Sequence, residues 1–393
     1  MVRLLIVQYT SDYREAVKRF AAGGDETYYA QRSFVNAIAE IGKKIDEAAV
    51  FSCIAEEPYN ELLENGVRVI GTGFDKKIQA RRLFQLFDEY SPTHLVSITP
   101  IRDILAWAIK RRVKTIVTLA DSFNSKGLRS KIQYYRLASL LNNKQIDWIG
   151  NHNIPACQSL IKIGVNPDKI IPWDFPHAIS PESFLPKTLS FDRNTWEIFY
   201  VGAISEAKGV GDVLEAISQL KSKGLSIKLK IAGKGDVENF INKAKHLQIE
   251  DCVEFLGLVS NKTVVPLMRE ADLVVVPSRH EYPEGFPLVI YEALCSRTPI
   301  VASDHPMFRS KLVNQISALI FPAGDPTTLA LCIEKLLSDP EIYYKLSSAS
   351  DNVWKSLQLP VKWADLVNRW LFDSPENRQW LFEHRLLSGK YNS

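Results

Sequence analysis

Two carboxylates stand eight residues apart in "RHEYPEGFPLVIYEALCSRTPIVASDHP", residues 279–306. Glu284 precedes Gly285, Phe286 and Pro287, whereas Glu292 lies inside an apolar run. Pro287 suits the first position of a helix, where a missing N–H costs nothing. The amides of Leu288 and Val289 then point back toward the loop and, with the helix dipole, form a site fit for a phosphate. Gly285 lets backbone approach a ligand without a side chain in the way. Val289, Ile290, Tyr291, Ala293 and Leu294 surround Glu292 in sequence, so its carboxylate is expected in a partly buried place and in need of donors. Ribose and sugar hydroxyls are suitable donors. A structural arginine or a neighbouring loop would serve as well, and these residues alone do not decide.

Other strand ends supply the rest of a site. In "FYVGAISEAKGVGDVLEA" a strand runs into a loop at Gly202, and Lys208 stands just before a helix start at Gly209. Lys208 is placed to meet an anion, although a lone lysine there is usually solvated. "IAGKGD" is a further strand ending in glycine, at Gly233. Glycines, a cation and two carboxylates at strand ends of one domain suit a nucleoside diphosphate joined to a hydroxyl-rich group.

The elements that must position these residues alternate along the chain. "RLLIVQY", "AAVFSCIA", "RVIGTGF", "THLVSIT", "KTIVTLA" and "DWIGNH" read as strands of the first half. "WEIFYVG", "IKLKIAG", "CVEFLGLV", "DLVVVPS", "PIVASD" and "SALIFPAG" read as strands of the second, with amphipathic helices between. Such alternation predicts α/β architecture twice over: doubly wound parallel sheets whose ligands bind at the carboxyl ends of the strands. At 393 residues the chain is long enough for two domains. The join is expected in the proline-rich stretch 172–194, giving domains over 1–185 and 190–345 and a Trp-rich helical tail over 346–393 that packs back across them. Trp363, Val367 and Trp370 share one face of that tail. The face either docks on the protein or, with Arg369 and Arg378 beside it, meets a membrane; docking is the commoner use of an aromatic face and is the expectation.

Composition narrows the class. The chain is 46% hydrophobic and 24% charged, with a net charge of +3, which gives no electrostatic reason for a nucleic-acid partner. Five scattered cysteines read as buried thiols of a reducing compartment. "MVRLLIVQY" reads as a first strand and not a signal peptide, and no stretch reaches the ~20 apolar residues of a membrane span. The expected address is the cytoplasm, or the inner face of the membrane.

From about residue 196 to 340 the sequence resembles the retaining glycosyltransferases of family 4, which have the GT-B fold. The resemblance rests on Glu284 and Glu292 in "EGFPLVIYEAL", with "ADLVVVPS" before and "TPIVASD" after. It implies that Glu284 lies against the donor sugar, that Glu292 binds the ribose, and that the backbone of residues 286–289 holds the diphosphate. Lys208 and Gly209 match the family's "KG", implying a diphosphate contact and, with Glu284, the catalytic part. Gly23 and Gly24 match a first-domain Gly-Gly loop near the donor, after an unusually long loop. There are two departures. Ala203 stands where many members carry a cation after "VG", and Ala120 stands where many carry a histidine, with Asp121 after it. His152 follows a strand end, where it either faces the site or, as the simpler expectation, bonds neighbouring backbone in a surface loop. His280 and His305 flank the motif and could help position the sugar.

The resemblance implies transfer of a sugar from a nucleoside-diphosphate sugar to a sugar or lipid-linked sugar acceptor, with retention. No cofactor is expected, and no metal, since the chain has no Asp-x-Asp pair. A nucleotide-sugar epimerase, a sugar phosphorylase and an inactive binding protein of the same fold are the alternatives. An oxidoreductase is disfavoured, because no G-x-G-x-x-G follows a strand.

Overall fold

A computed structural model describes residues 1–10, 13–74, 78–124, 127–190 and 194–391. The chain divides into two units, each with its own sheet. The first comprises Met1–Glu26, Ala30–Pro176 and Leu359–Ser393, and the second Thr27–Tyr29 and His177–Gln358.

The strands of the first unit are Arg3–Thr10 (β1), Glu47–Ile54 (β2), Pro58–Leu62 (β3), Arg68–Thr72 (β4), His94–Ser97 (β5), Lys114–Leu119 (β6), Ile146–His152 (β7) and Ile170–Trp173 (β8). Their order is β3-β4-β2-β1-β5-β6-β7-β8, and only β3 runs antiparallel to its neighbour. Side chains alternate across the sheet. Leu4 and Ile6 join one core layer with Ile38, Val96 and Ile116, while Leu5 and Val7 join the other with Phe51, Phe87 and Ile104. β3 and β8 escape the periodicity of the sequence. β3 is a polar edge strand with alternating exposure, and β8 is a four-residue run containing a proline.

The second unit has Trp196–Val201 (β9), Ile227–Ala232 (β10), Val253–Gly257 (β11), Leu273–Val276 (β12), Ile300–Ser303 (β13) and Leu319–Phe321 (β14), all parallel, in the order β11-β10-β9-β12-β13-β14. The order turns at β9, between β10 and β12. That is the switch point beyond which such sheets bind ligands. The expected α/β class with two doubly wound sheets holds.

Two boundaries are corrected. The break falls after Pro176, not at 185, because the following segment is tied to the second unit. Arg297 Nε donates to the Pro181 carbonyl (2.7 Å) and Lys187 Nζ to the Arg269 carbonyl (2.7 Å). The tail expected over 346–393 is divided. The helix Pro340–Leu357, with Trp354, belongs to the second unit, where Tyr343 and Leu346 enter the core. Residues from Leu359 onward belong to the first.

In that first-unit segment the helix Trp363–Leu371 buries Trp363, Leu366, Val367 and Trp370 against Ile6, Val96 and Ile116. Trp363 Nε1 donates to Thr118 Oγ1 (3.1 Å) and Trp370 Nε1 to Asp147 Oδ2 (2.8 Å). The aromatic face therefore docks, and a membrane contact through it is excluded because the first unit's own core covers it. Trp363→Ala is expected to lower stability by ~3–5 kcal/mol and Trp363→Phe by ~1 kcal/mol, measured as shifts in the urea midpoint. Equal midpoints for wild type and Trp363→Ala would contradict this packing.

Candidate active site

β12 is a buried strand, and the chain that leaves it as residues 277–287 returns into the helix Leu288–Ser296. Pro287 is the cap residue of that helix, with ψ 125°, and not its first position. The correction moves the helix by one residue. Leu288 and Val289 now occupy its first turn, where amides have no acceptor within the helix. Residues Glu284, Gly285, Phe286 and Pro287 are buried just ahead of them.

Glu284 is 7% exposed. Its Oε1 accepts from the Ser278 hydroxyl (2.7 Å) and pairs with the Lys208 ammonium. Lys208 comes from the loop after β9, and its Nζ also lies 4.3 Å from the centre of the Tyr282 ring. Gly209, the cap of the helix Val210–Ser222, adopts φ 75°. A Cβ there would meet the Pro277 carbonyl oxygen at 2.1 Å, so only glycine lets the two loops touch. Arg279 fastens them: Nε and Nη2 reach Asp212 at 2.9 and 2.5 Å, and its amide donates to the Ala207 carbonyl.

Glu292 lies in the second turn of its helix and is 6% exposed. The Asn261 side-chain amide donates to its Oε1 (2.6 Å). Burial pushes its pKa up to about 7, and the Asn261 bond pulls the other way. Burial therefore shifts this carboxyl toward neutrality, and the neutral Asn261 amide offsets it only in part.

His305 is buried. Its Nε2 donates to the Tyr282 carbonyl (3.1 Å) and its Nδ1 accepts from the Met307 amide (3.2 Å). Burial lowers its pKa, and the charges of Glu284, His280 and Lys208 act on it. His280 is half-buried, with Nε2 2.8 Å from Asp304. Gly202 and Gly233, expected at the ligand, have a packing role. A Cβ on Gly233 would come within 1.8 Å of the Gly202 carbonyl oxygen. Ala203 is exposed, and its carbonyl accepts from the Tyr200 hydroxyl.

Glu284, Lys208, Glu292, the 285–289 turn, His280 and both strand-end glycines thus belong to one unit. Gly23, Gly24, Asp121 and His152 belong to the other. Gly23 (φ 77°) and Gly24 end the helix Tyr13–Ala21, donating to the Phe20 and Arg19 carbonyls. Asp121 follows β6, and burial raises its pKa. His152 is no surface residue. It is 2% exposed, packs against Trp173 and Phe175, and holds Nε2 3.3 Å from Asp174, because the end of β7 pairs with Trp173 of β8. Ser278, Asn261, Arg279 and Asp212 were not singled out from sequence. Ser278 and Arg279 adjoin the motif, but Asn261 and Asp212 lie 31 and 67 residues from their partners.

Residues 182–353 match the family model described as glycosyl transferases group 1. Over its second unit the chain resembles the group 1 glycosyl transferases. The amylovoran biosynthesis glycosyltransferase AmsK of Erwinia amylovora is 30% identical over 163 residues, 40% of either chain. A phosphatidyl-myo-inositol mannosyltransferase of Mycolicibacterium smegmatis is 27% identical over 172 residues, 43% of this chain and 44% of its own. These matches span less than half the length of either relative. Anabaena HepE in complex with UDP-glucose superposes with a TM-score of 0.66 at 15% identity, covering 98% of this chain and 99% of that one. WaaG, a glycosyltransferase involved in lipopolysaccharide biosynthesis, gives 0.68 at 13% identity, covering 94% and 100%. At such identities the likeness concerns fold, and the fold is GT-B.

A carboxyl whose pKa is higher folded than unfolded adds stability that is full below the unfolded value, here 4.5, and is lost as pH rises through about 7. Wild type should lose on the order of 3 kcal/mol across that window, and Glu292→Gln should lose much less. Urea midpoints of both proteins at pH ~5 and ~8 test this. Parallel pH profiles would show that Glu292 does not titrate there.

Proposed function

We propose that this chain is a retaining glycosyltransferase of family 4. It moves a hexosyl group from a nucleoside-diphosphate sugar to the hydroxyl of a sugar or lipid-linked sugar, in polysaccharide or glycolipid assembly at the cytoplasmic face of a membrane. The observation that carries the reading is the Lys208–Glu284 pair at the start of the helix that also carries Glu292. The pair stands at the switch point of a parallel sheet, where a diphosphate would find first-turn amides and an ammonium together.

In this reading the diphosphate lies on the Leu288 and Val289 amides with Lys208 beside it. The ribose bonds Glu292 and the sugar faces Glu284. As the sugar becomes oxocarbenium-like, the leaving diphosphate gains charge that the amides and Lys208 stabilise. Glu284 faces the carbon that becomes positive, so its charge matters most in the transition state. The UDP-glucose bound by HepE supports a nucleotide-sugar donor. The relatives' roles in amylovoran biosynthesis and in mannosyl transfer to phosphatidyl-myo-inositol support the acceptor class. Those relatives also favour transfer over the epimerase and inactive-binder readings. No helix among the described residues is long and apolar enough to cross a membrane.

Two substitutions separate the glutamates. Glu292→Gln should weaken the free nucleoside diphosphate and the sugar donor by similar factors, a uniform loss seen mainly in KM. Glu284→Gln should leave affinity for the free diphosphate nearly unchanged and lower kcat. Calorimetry with the diphosphate and steady-state kinetics with the donor measure both. The opposite pattern would reverse the donor in its site, and no effect from either would remove the reading's main support.

The reading also gives the diphosphate a lysine and a helix terminus in place of an ion. Turnover should therefore survive EDTA. Loss on chelation, restored by Mg²⁺ or Mn²⁺, would overturn that part.

A further inference from the structure

In the first unit the helix Leu128–Leu141 and the turn after the helix Ile154–Lys162 enclose a cavity of about 320 Å³. Tyr135, Ala138, Ser139 and Asn142 line one side, and their spacing of three and four residues puts them on one helix face. Ile163 and Gly164 line the other. The Asn142 side chain fastens the two walls. Its Nδ2 donates to the Gly164 carbonyl (2.9 Å) and its Oδ1 accepts from the Asn166 amide (2.8 Å). Lys169 Nζ closes the helix end by donating to the Leu141 and Asn143 carbonyls (3.0 and 2.8 Å). Small residues keep the space open: Gly164 has φ 97°, where a side chain is strained, and it faces the Cβ of Ala138. No lining residue carries a charge. Tyr135 is 75% exposed. Asn143, also in the lining, uses its side-chain oxygen on the Gln145 amide (3.0 Å). Its side-chain nitrogen and the Tyr135 and Ser139 hydroxyls meet no protein partner among the described residues.

We propose that this cavity binds a neutral carbohydrate, with a sugar ring laid against Tyr135 and its hydroxyls bonded to Ser139 and Asn143. The lining selects the class. Without a cation it offers nothing to a phosphate or a carboxylate, and without a carboxylate nothing to an amine. Hydroxyl and amide groups that together donate and accept match sugar hydroxyls, which do both. One face of a pyranose ring is made of C–H bonds, and these suit an aromatic face. The cavity stands at the small end of ligand sites, roughly 300–1,000 Å³, so a short stretch of glycan fits and the rest of its chain stays in solvent. Asn142 and Lys169 fix the walls before binding, which lowers the ordering cost. The cavity lies on a different unit from the candidate active site, and binding there does not depend on the transferase reading. Its use, holding a glycan chain while sugar is transferred, rests on that reading.

Calorimetry of the full chain with maltopentaose, cellopentaose and mannopentaose, and with trigalacturonate as an anionic control, tests the proposal. At least one neutral sugar should bind, and trigalacturonate should not. Tyr135→Ala should weaken the binding on the order of tenfold, whereas Tyr135→Phe should keep most of it, because the ring supplies the platform. Glu284→Gln should leave it unchanged, since a sugar held in the candidate active site would respond to that variant and not to Tyr135→Ala. Tyr135 is a solvent-exposed position, and circular dichroism should show the same fold in every variant. Failure of all three neutral sugars to bind, equal binding of trigalacturonate, or full affinity in Tyr135→Ala would overturn the proposal. Affinity lost in Glu284→Gln alone would overturn it too, and would put the sugar in the candidate active site.

Discussion

In the second unit the loop after β9 must lie directly on the loop after β12, and the site depends on that contact. Gly209 permits it by having no side chain to strike the Pro277 carbonyl. The Arg279 fork onto Asp212 then fixes the approach in direction as well as distance. Only with the loops so held does Lys208 reach Glu284. The cation and the carboxylate come from different strand ends of one sheet, which is why a parallel sheet with a switch point can build this arrangement and a hairpin could not.

The two glutamates differ less in chemistry than in company. Glu284 meets an ammonium and a hydroxyl. Glu292, equally buried, has an amide donor, and its carboxyl is pushed toward neutrality. A charge already paired can face a changing charge at low cost. A carboxyl poised near neutrality responds to whatever donors a ligand brings. Eight residues of sequence separate the two, but their environments differ.

The first unit follows the same sheet logic with other contents. Asp174 is fully buried and takes contacts from His152 and from Lys362, the latter in the segment that returns from beyond residue 358. That segment also covers the sheet with Trp363 and Trp370. Aromatic surface that could have faced a bilayer is used instead to close a core.

The sequence by itself determined most strands of both sheets, since apolar runs rich in β-branched residues, such as Leu273–Val276, suit strands buried on two faces. It also marked the glutamate pair and, to within one residue, the helix start between them, because the spacing is local to one loop and one helix. It missed β3, whose alternating polar edge looks like loop, and β8, whose run is short and holds Pro172. What the tertiary structure alone decided are the contacts between strand ends. Asn261 on Glu292, Asp212 on Arg279 and Lys208 on Glu284 join residues far apart along the chain. The division of the tail also needed the fold, because Trp354 and Trp363 have the same hydrophobicity and fall in different units. Periodicity reports which face of an element is buried. It does not report against what, because that is set by the order in which strands pair.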